Sequence, residues 1–140
     1  MRYWDASALV ALCVAETNTS AVRPLARAGI VTWAVSAVEI ASAIERRTRE
    51  GSLTDAERAA ARAALGELAA AWTEIAALGP VRERAMRLVA THALRVADAM
   101  QLGAALVAAS DRPVGHDFVC ADARLGNAAA REGFRLLPEA

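Results

Sequence analysis

The chain has 140 residues, 56% of them hydrophobic and 23% charged, and its sixteen acidic residues balance sixteen arginines. This length and composition are typical of one globular domain with a substantial core, and they exclude a disordered chain. The zero net charge argues against a protein that coats nucleic acid over its whole surface, although a local arginine cluster can still bind RNA. We therefore expect residues 1–140 to form a single domain.

The first half of the chain predicts two strands and four helices. In chain order, we predict a strand at 2–4, a helix at 7–15, a short helix ending near 29, a strand at 30–33, and helices at 36–49 and 54–71. Ser36 opens the first long helix, and Gly51 follows its end. Thr54 and Glu57 have the spacing of a capping box at the start of the second.

The second half continues the alternation of strands and helices. We predict a strand at 72–78, a helix at 80–91, a loop at 92–95, a helix at 98–109, a strand at 118–120, a helix at 123–132 and a strand at 134–137. The alanines of 72–78 suit a helix equally well. Short apolar strands alternating with helices favour a parallel sheet covered on both faces. Ligands of such sheets bind beyond the carboxyl ends of the strands.

The apolar runs give two expectations about compartment. No segment reaches the roughly 18 apolar residues of a membrane span, and Asp5 interrupts the first apolar run, where a signal peptide needs continuity. We therefore expect a cytoplasmic protein without a membrane segment. Cys13 and Cys120 lie in apolar runs and are expected to be reduced core residues.

Four acids lie where apolar runs meet predicted helices: Asp5, Glu39, Asp98 and Asp122. Each has an ordinary structural explanation, because the three aspartates could cap helices and Ser36 and Glu39 have capping-box spacing. Together they suggest a shared cation, since buried carboxylates are costly without one. Carboxylates suit Mg²⁺ or Mn²⁺, and such ions activate water for phosphodiester hydrolysis.

The two histidines lack metal-ligand spacing. His92 and His116 are separated from the four acids in sequence, and we interpret both as loop residues. They therefore do not suggest a zinc site.

Four ordered segments carry a family resemblance: YWDASAL at 3–9, SAVEIASA at 36–43, LRVADAMQL at 94–102 and FVCADARL at 118–125. The set resembles the PIN-domain nucleases, and specifically the VapC toxins of bacterial toxin–antitoxin pairs. The resemblance implies a three-layer α/β/α sandwich with a central, mainly parallel sheet. It implies a Mg²⁺- or Mn²⁺-dependent endoribonuclease that forms a homodimer and is blocked by a cognate VapB-type antitoxin. Asp5, Glu39, Asp98 and Asp122 match the family's acidic positions and are the predicted metal-binding and catalytic residues.

Further residues near the acids have candidate roles. Ser7 matches a small hydroxyl residue that could orient Asp5, or it is simply part of the first helical turn. Asp122 is preferred over Asp117 as the fourth acid, because it follows a predicted strand and fits the motif. Asn127 could contact a water on the metal or lie on a helix surface.

Arginines near these segments are candidate RNA contacts. Arg95 and Arg124 flank Asp98 and Asp122 in sequence. Arg46, with Arg47 and Arg49, could bind RNA phosphates or an antitoxin, or could form a solvated helix end with a Glu45–Arg49 pair. The apolar faces carrying Leu65, Leu68 and Trp72 could cover the core or receive an antitoxin helix.

Two other functions remain open. One is a catalytically silent PIN-like scaffold that binds RNA or protein. The other is a metal-dependent phosphatase with Asp5 as nucleophile, which would need a second acid where Ser7 stands.

Overall fold

Five short strands form one parallel sheet. The computed structural model describes residues 1–139. The strands are β1 (Arg2–Trp4), β2 (Val31–Trp33), β3 (Thr73–Ile75), β4 (Asp117–Val119) and β5 (Arg135–Leu137). Their order is β3-β2-β1-β4-β5, and each neighbouring pair is parallel. The predicted sheet is confirmed, and in these residues it is wholly parallel.

Helices cover both faces of the sheet. They are α1 (Ala6–Cys13), α2 (Thr19–Val22), a 3₁₀ helix (Arg23–Ala28), α3 (Ser36–Arg49), α4 (Asp55–Ala71), α5 (Leu78–Thr91), α6 (Val96–Ala108) and α7 (Ala123–Glu132). One core contains residues of α1, α3 and α4 with Trp4, and the other contains residues of α5, α6 and α7 with Tyr3. Adjacent strand residues point to opposite faces. The α/β/α sandwich is therefore confirmed.

The sheet has a topological switch point between the neighbouring strands β1 and β4. The chain runs from β1 to β2 and β3, then returns past β1 to form β4 and β5. Because parallel crossovers are right-handed, the later helices lie on the opposite face from the earlier ones. Such a switch point leaves a crevice at the carboxyl ends of the strands.

Of the five helix caps that the sequence suggests, those at Asp5, Thr54 and Asp122 are present and those at Ser36 and Asp98 are not. Thr54 and Glu57 form the capping box that opens α4. Ser36 does not cap α3, because the cap position is Val35 and the Ser36 hydroxyl is buried in other hydrogen bonds. Asp98 does not cap α6, because that helix begins at Val96 and places Asp98 in its first turn.

The apolar residues of α4 cover the core. Leu65 and Trp72 are buried, and Leu68 packs against the same core. The structure therefore supports the core interpretation of these three residues over an open groove.

His92 lies in the loop that follows α5, as predicted, but its side chain is not free. It is buried at the end of α5, and its Nε2 lies 2.7 Å from Glu132 Oε2. Arg87 Nη2 donates to the other Glu132 oxygen at 2.6 Å. The cluster joins α5 to α7. His116 does lie in a loop, with its Nδ1 3.0 Å from the Met1 amine.

Both cysteines are free thiols and only partly buried. Along residues 1–139, the helices are too short or too polar to cross a bilayer.

Candidate active site

A cleft of about 970 Å³ opens at the carboxyl end of the sheet. Glu39, Asp98 and Asp122 line it, on α3, on α6 and at the start of α7. Asp5 is not itself among the lining residues and is only 3% exposed, but it immediately precedes Ala6 and Ser7, which line the cleft. The fold therefore brings the four predicted acids to one region.

Asp5 is held by the first turn of α1. One of its oxygens accepts from the Ala8 N–H at 3.3 Å, and the Ser7 hydroxyl lies 2.8 Å from both oxygens. Burial raises the pKa of Asp5 to about 7, although hydrogen bonds from Ser7 and Ala8 lower it, and the Glu39 carboxylate adds to the rise. Near neutral pH this acid therefore exchanges between its neutral and charged forms.

Ser7 also connects two parts of the site. Its Oγ donates to Asp5 and accepts from the Ala121 N–H at 3.0 Å. Ala121 precedes Asp122, so one hydroxyl fixes the first acid relative to the segment that carries the fourth.

Glu39 and Asp98 are half-buried and repel each other. Burial raises the pKa of Glu39, a hydrogen bond from Gln101 lowers it, and Asp98 raises it. Burial also raises the pKa of Asp98, Asp122 adds to the rise, and Arg95 and Arg124 oppose it. Asp98 is thus close enough to both Glu39 and Asp122 for their negative charges to repel.

Asp122 and Asp117 lie at opposite ends of β4. Asp122 caps α7, accepting from the Leu125 N–H at 2.9 Å, and is exposed to the cleft. Asp117 begins β4 and accepts from Arg2 Nε at 3.0 Å and Arg135 Nε at 2.8 Å. Its ion pairs give Asp117 a structural role away from the other acids.

The four carboxylates are suitable ligands for a hard divalent cation, but their side chains are not positioned to coordinate one together. Carboxylates are the ligands that Mg²⁺ and Mn²⁺ prefer, and a cation would relieve the repulsion among these acids. Within residues 1–139, no three His, Cys, Asp or Glu side chains form a ready-made ligand group. Side-chain rotation would therefore have to bring the acids together.

The family model of the PIN domain matches residues 2–129 of this sequence. The chain belongs to the PIN domain family. No curated protein matches it. PIN domains are usually metal-dependent nucleases, so the acidic cleft of this PIN domain occurs on a nuclease-type fold.

Arginines line the same cleft of this PIN domain. They are Arg46, Arg47, Arg95 and Arg124. Arg47 is ion-paired with Glu16, which also lines the cleft. The predicted Glu45–Arg49 pair is wrong, because Glu45 binds Arg58 and Arg62 of α4 instead.

Asn127 lies on the exposed side of α7 and is not among the residues that line the cleft of the described chain. Gln101 is a site residue that the sequence motifs do not single out: its buried amide donates to Glu39 Oε1 at 3.3 Å. Its signal was a polar residue in the apolar run of α6, one helical turn after Asp98.

Proposed function

We propose that this PIN domain, over residues 1–140, is a metal-dependent endoribonuclease and the toxin of a VapC-type toxin–antitoxin pair. The main support is that Glu39, Asp98 and Asp122 line one cleft and that Asp5 is buried next to Ala6 and Ser7, which line it too. Burial and the charges of neighbouring acids raise the pKa of Asp5, Glu39 and Asp98. Clustered carboxylates with raised pKa values are typical of functional sites.

Asp5, Glu39, Asp98 and Asp122 would hold Mg²⁺ or Mn²⁺, with Ser7 fixing the orientation of Asp5. When bound, the metal would activate water as the nucleophile and stabilise the leaving oxygen. Arg46, Arg95 and Arg124 would bind RNA phosphates near the acids, because these residues line the same cleft.

Cleavage of RNA by an Asp98→Asn variant tests the mechanism. We expect Asp98→Asn to reduce metal-dependent cleavage to background while the fold is retained, and chelation to do the same to the wild type. Asp55→Asn is the matched control, because Asp55 is also an acid in the first turn of a helix but lies on α4, outside the cleft. Cleavage that survives both chelation and Asp98→Asn would refute the mechanism.

A catalytically silent scaffold is the second candidate, because no ready-made ligand group is present in residues 1–139. The same assay separates the two functions. A scaffold would bind RNA, or a protein partner, without cutting RNA at any Mn²⁺ concentration.

The toxin assignment requires a partner and a cytoplasmic location, where RNA is accessible. We expect a stable complex with a small VapB-type antitoxin encoded beside this chain, and copurification tests this. If no such neighbour is found, the toxin assignment fails and the nuclease assignment stands.

We also propose a homodimer. Leu78, Met86 and Val89 lie along one side of α5 and are 52%, 70% and 46% exposed, as an apolar interface requires. Sedimentation should show a dimer that Met86→Asp dissociates. A monomeric wild type would contradict it.

A further inference from the structure

Hydrogen bonds between buried side chains run beneath the cleft, with the Gln101 amide at their centre. Gln101 is 1% exposed. Its Oε1 accepts from the Tyr3 hydroxyl at 2.7 Å, and its Nε2 lies 2.9 Å from Ser36 Oγ and 3.3 Å from Glu39 Oε1. Gln101 therefore contacts one of the cleft acids directly.

The direction of these bonds follows from the number of protons available. Thr32 Oγ1 donates its single proton to the Trp4 carbonyl at 2.7 Å. The 2.7 Å contact between Thr32 and Ser36 therefore requires Ser36 to donate. With its proton committed, Ser36 Oγ accepts from Gln101 Nε2.

Tyr3 fixes the other end of the amide. The Tyr3 hydroxyl has a single proton and donates it to Gln101 Oε1 at 2.7 Å, which identifies that atom as the amide oxygen. A flipped Gln101 amide would lose this bond and turn its carbonyl oxygen toward the Glu39 carboxylate. The two N–H bonds of the amide thus face Ser36 and Glu39.

These contacts join helices from opposite faces of the sheet. Ser36 and Glu39 are three residues apart on α3, and Asp98 and Gln101 are three apart on α6, so each pair lies on one side of its helix. Ser36 and Gln101 form the buried pair, whereas Glu39 and Asp98 line the cleft. The amide therefore fixes α3 and α6 relative to each other at the acids.

We infer that Gln101 is a positioning residue for the metal site: its amide, oriented by Tyr3 and anchored on Ser36, holds the Glu39 carboxylate in the cleft facing Asp98. The inference rests on the proposed metal-dependent function. Hydrogen bonds behind a metal ligand commonly fix its orientation, and their loss weakens metal binding 10- to 100-fold, as an order of magnitude.

Gln101→Met tests this, because methionine keeps an unbranched side chain of similar length and removes the amide. We expect Mn²⁺ binding without RNA, followed by electron paramagnetic resonance of the free ion, to weaken about tenfold or more. The concentration of Mn²⁺ that gives half-maximal cleavage should rise by the same factor, and excess Mn²⁺ should restore most of the turnover.

Glu132→Gln is the control for lost stability. It weakens the contacts of Glu132 with His92 and Arg87 between α5 and α7, and Glu132 does not line the cleft. We expect a lower melting temperature with unchanged Mn²⁺ affinity. If affinity falls in step with melting temperature in both variants, Gln101 has only a structural role and the inference is overturned.

A crystal structure of metal-free Gln101→Met gives a readout independent of metal and RNA. We expect the Glu39 side chain to leave its position beside residue 101. An unmoved Glu39, or Mn²⁺ affinity equal to that of the wild type, overturns the inference alone. A wild-type protein that neither binds Mn²⁺ nor cuts RNA overturns the proposed function and this inference with it.

Discussion

Asp5 combines a structural role with a proposed catalytic one. Its carboxyl caps α1, a role that a neutral acid also fills, because the accepting oxygen is present in both forms. A metal ligand must be ionised, and burial raises the pKa of Asp5 to about 7. We therefore expect metal affinity to increase as the pH rises through neutrality.

In contrast to metal affinity, the stability of the metal-free protein should decrease as the pH rises toward neutrality. Because the pKa of Asp5 is about 7 in the folded state and near 3.8 when unfolded, the folded state binds the extra proton between these values. The free energy of unfolding then falls as pH rises from 4 to 7, by up to about 1.4 kcal/mol per pH unit, and this loss persists above pH 7.

Urea denaturation of wild type and Asp5→Asn at pH 5 and pH 8 measures this effect. Asparagine keeps a capping oxygen and does not ionise, so the variant should gain stability relative to wild type between the two pH values. Parallel pH profiles of the two proteins would contradict the raised pKa of Asp5.

At the level of single residues, the sequence predicts roles that depend on neighbouring residues, but not contacts between residues far apart in the chain. The capping roles of Asp5 and Asp122 follow from adjacent sequence, and the structure shows both. The Gln101 contacts were not foreseen, because Tyr3 is 98 residues away and Ser36 is 65 residues away in sequence. For the same reason, the local sequence suggests a helix cap as one possible role of Ser36 and gives no sign of its contact with Gln101.

At the level of elements, α5 and α6 approach closely at Gly103. A Cβ atom at this position would lie 2.8 Å from the Val81 carbonyl oxygen and 3.4 Å from the Ala85 nitrogen, both in the backbone of α5. Since α6 carries Asp98 and Gln101, this close packing fixes the helix that supports one side of the cleft.

Gly103→Ala should therefore destabilise the protein despite the higher helix propensity of alanine. We expect a loss of about 2 kcal/mol, because a backbone clash forces the two helices apart. Gly66→Ala on α4 is the matched control, since a Cβ there meets open space, and it should gain up to about 1 kcal/mol. Chemical denaturation measures the free energy of unfolding of both variants. If the two substitutions change it equally, α5 and α6 can move apart at little cost and the predicted clash is contradicted.

Helix bounds were predicted where local signals mark them. The bounds of α3 and α7 match the predicted 36–49 and 123–132. The start of α6 was placed two residues late, because its cap position is Arg95, whose side chain makes no capping hydrogen bond. Without such a signal, tertiary packing decides where this helix begins.

On the scale of the whole molecule, the two ends of the sheet differ in chemistry. The carboxyl end holds the acids of the cleft, whereas at the amino end Asp117 is neutralised by Arg2 and Arg135. Burial raises the pKa of Asp117, but the hydrogen bonds from Arg135 and Arg2 outweigh it and lower the pKa overall. A stable ion-pair cluster and a repulsive acidic cleft thus occupy opposite ends of one strand.

Asp117→Asn and Asp122→Asn form a matched pair for these two ends. We expect Asp117→Asn to lose about 1–2 kcal/mol of stability and to cut RNA normally, because it weakens two partly exposed ion pairs. Asp122→Asn should keep the α7 cap and lose cleavage. Denaturation and RNA cleavage assays check both, and normal cleavage by Asp122→Asn would remove it from the site.

The layer architecture was predictable from the alternation of strands and helices, but the strand order was not. β1 pairs with β4, which places Tyr3 beside Phe118. No local pattern in the sequence between these two strands indicates that they are neighbours. The position of the cleft follows from this pairing. Its four acids could be proposed from sequence, whereas their spacing required the structure.

The residues of the site are also synthesised one after another, in the order in which they occur along the chain. Asp5 and Glu39 are translated before Asp98, Gln101 and Asp122, whose helices lie on the opposite face of the sheet. A growing chain that ends before residue 98 carries only half of the acids and no amide to orient Glu39. For the nuclease proposed above, synthesis itself thus delays activity, because no growing chain carries the complete acidic site until Asp122 has been translated.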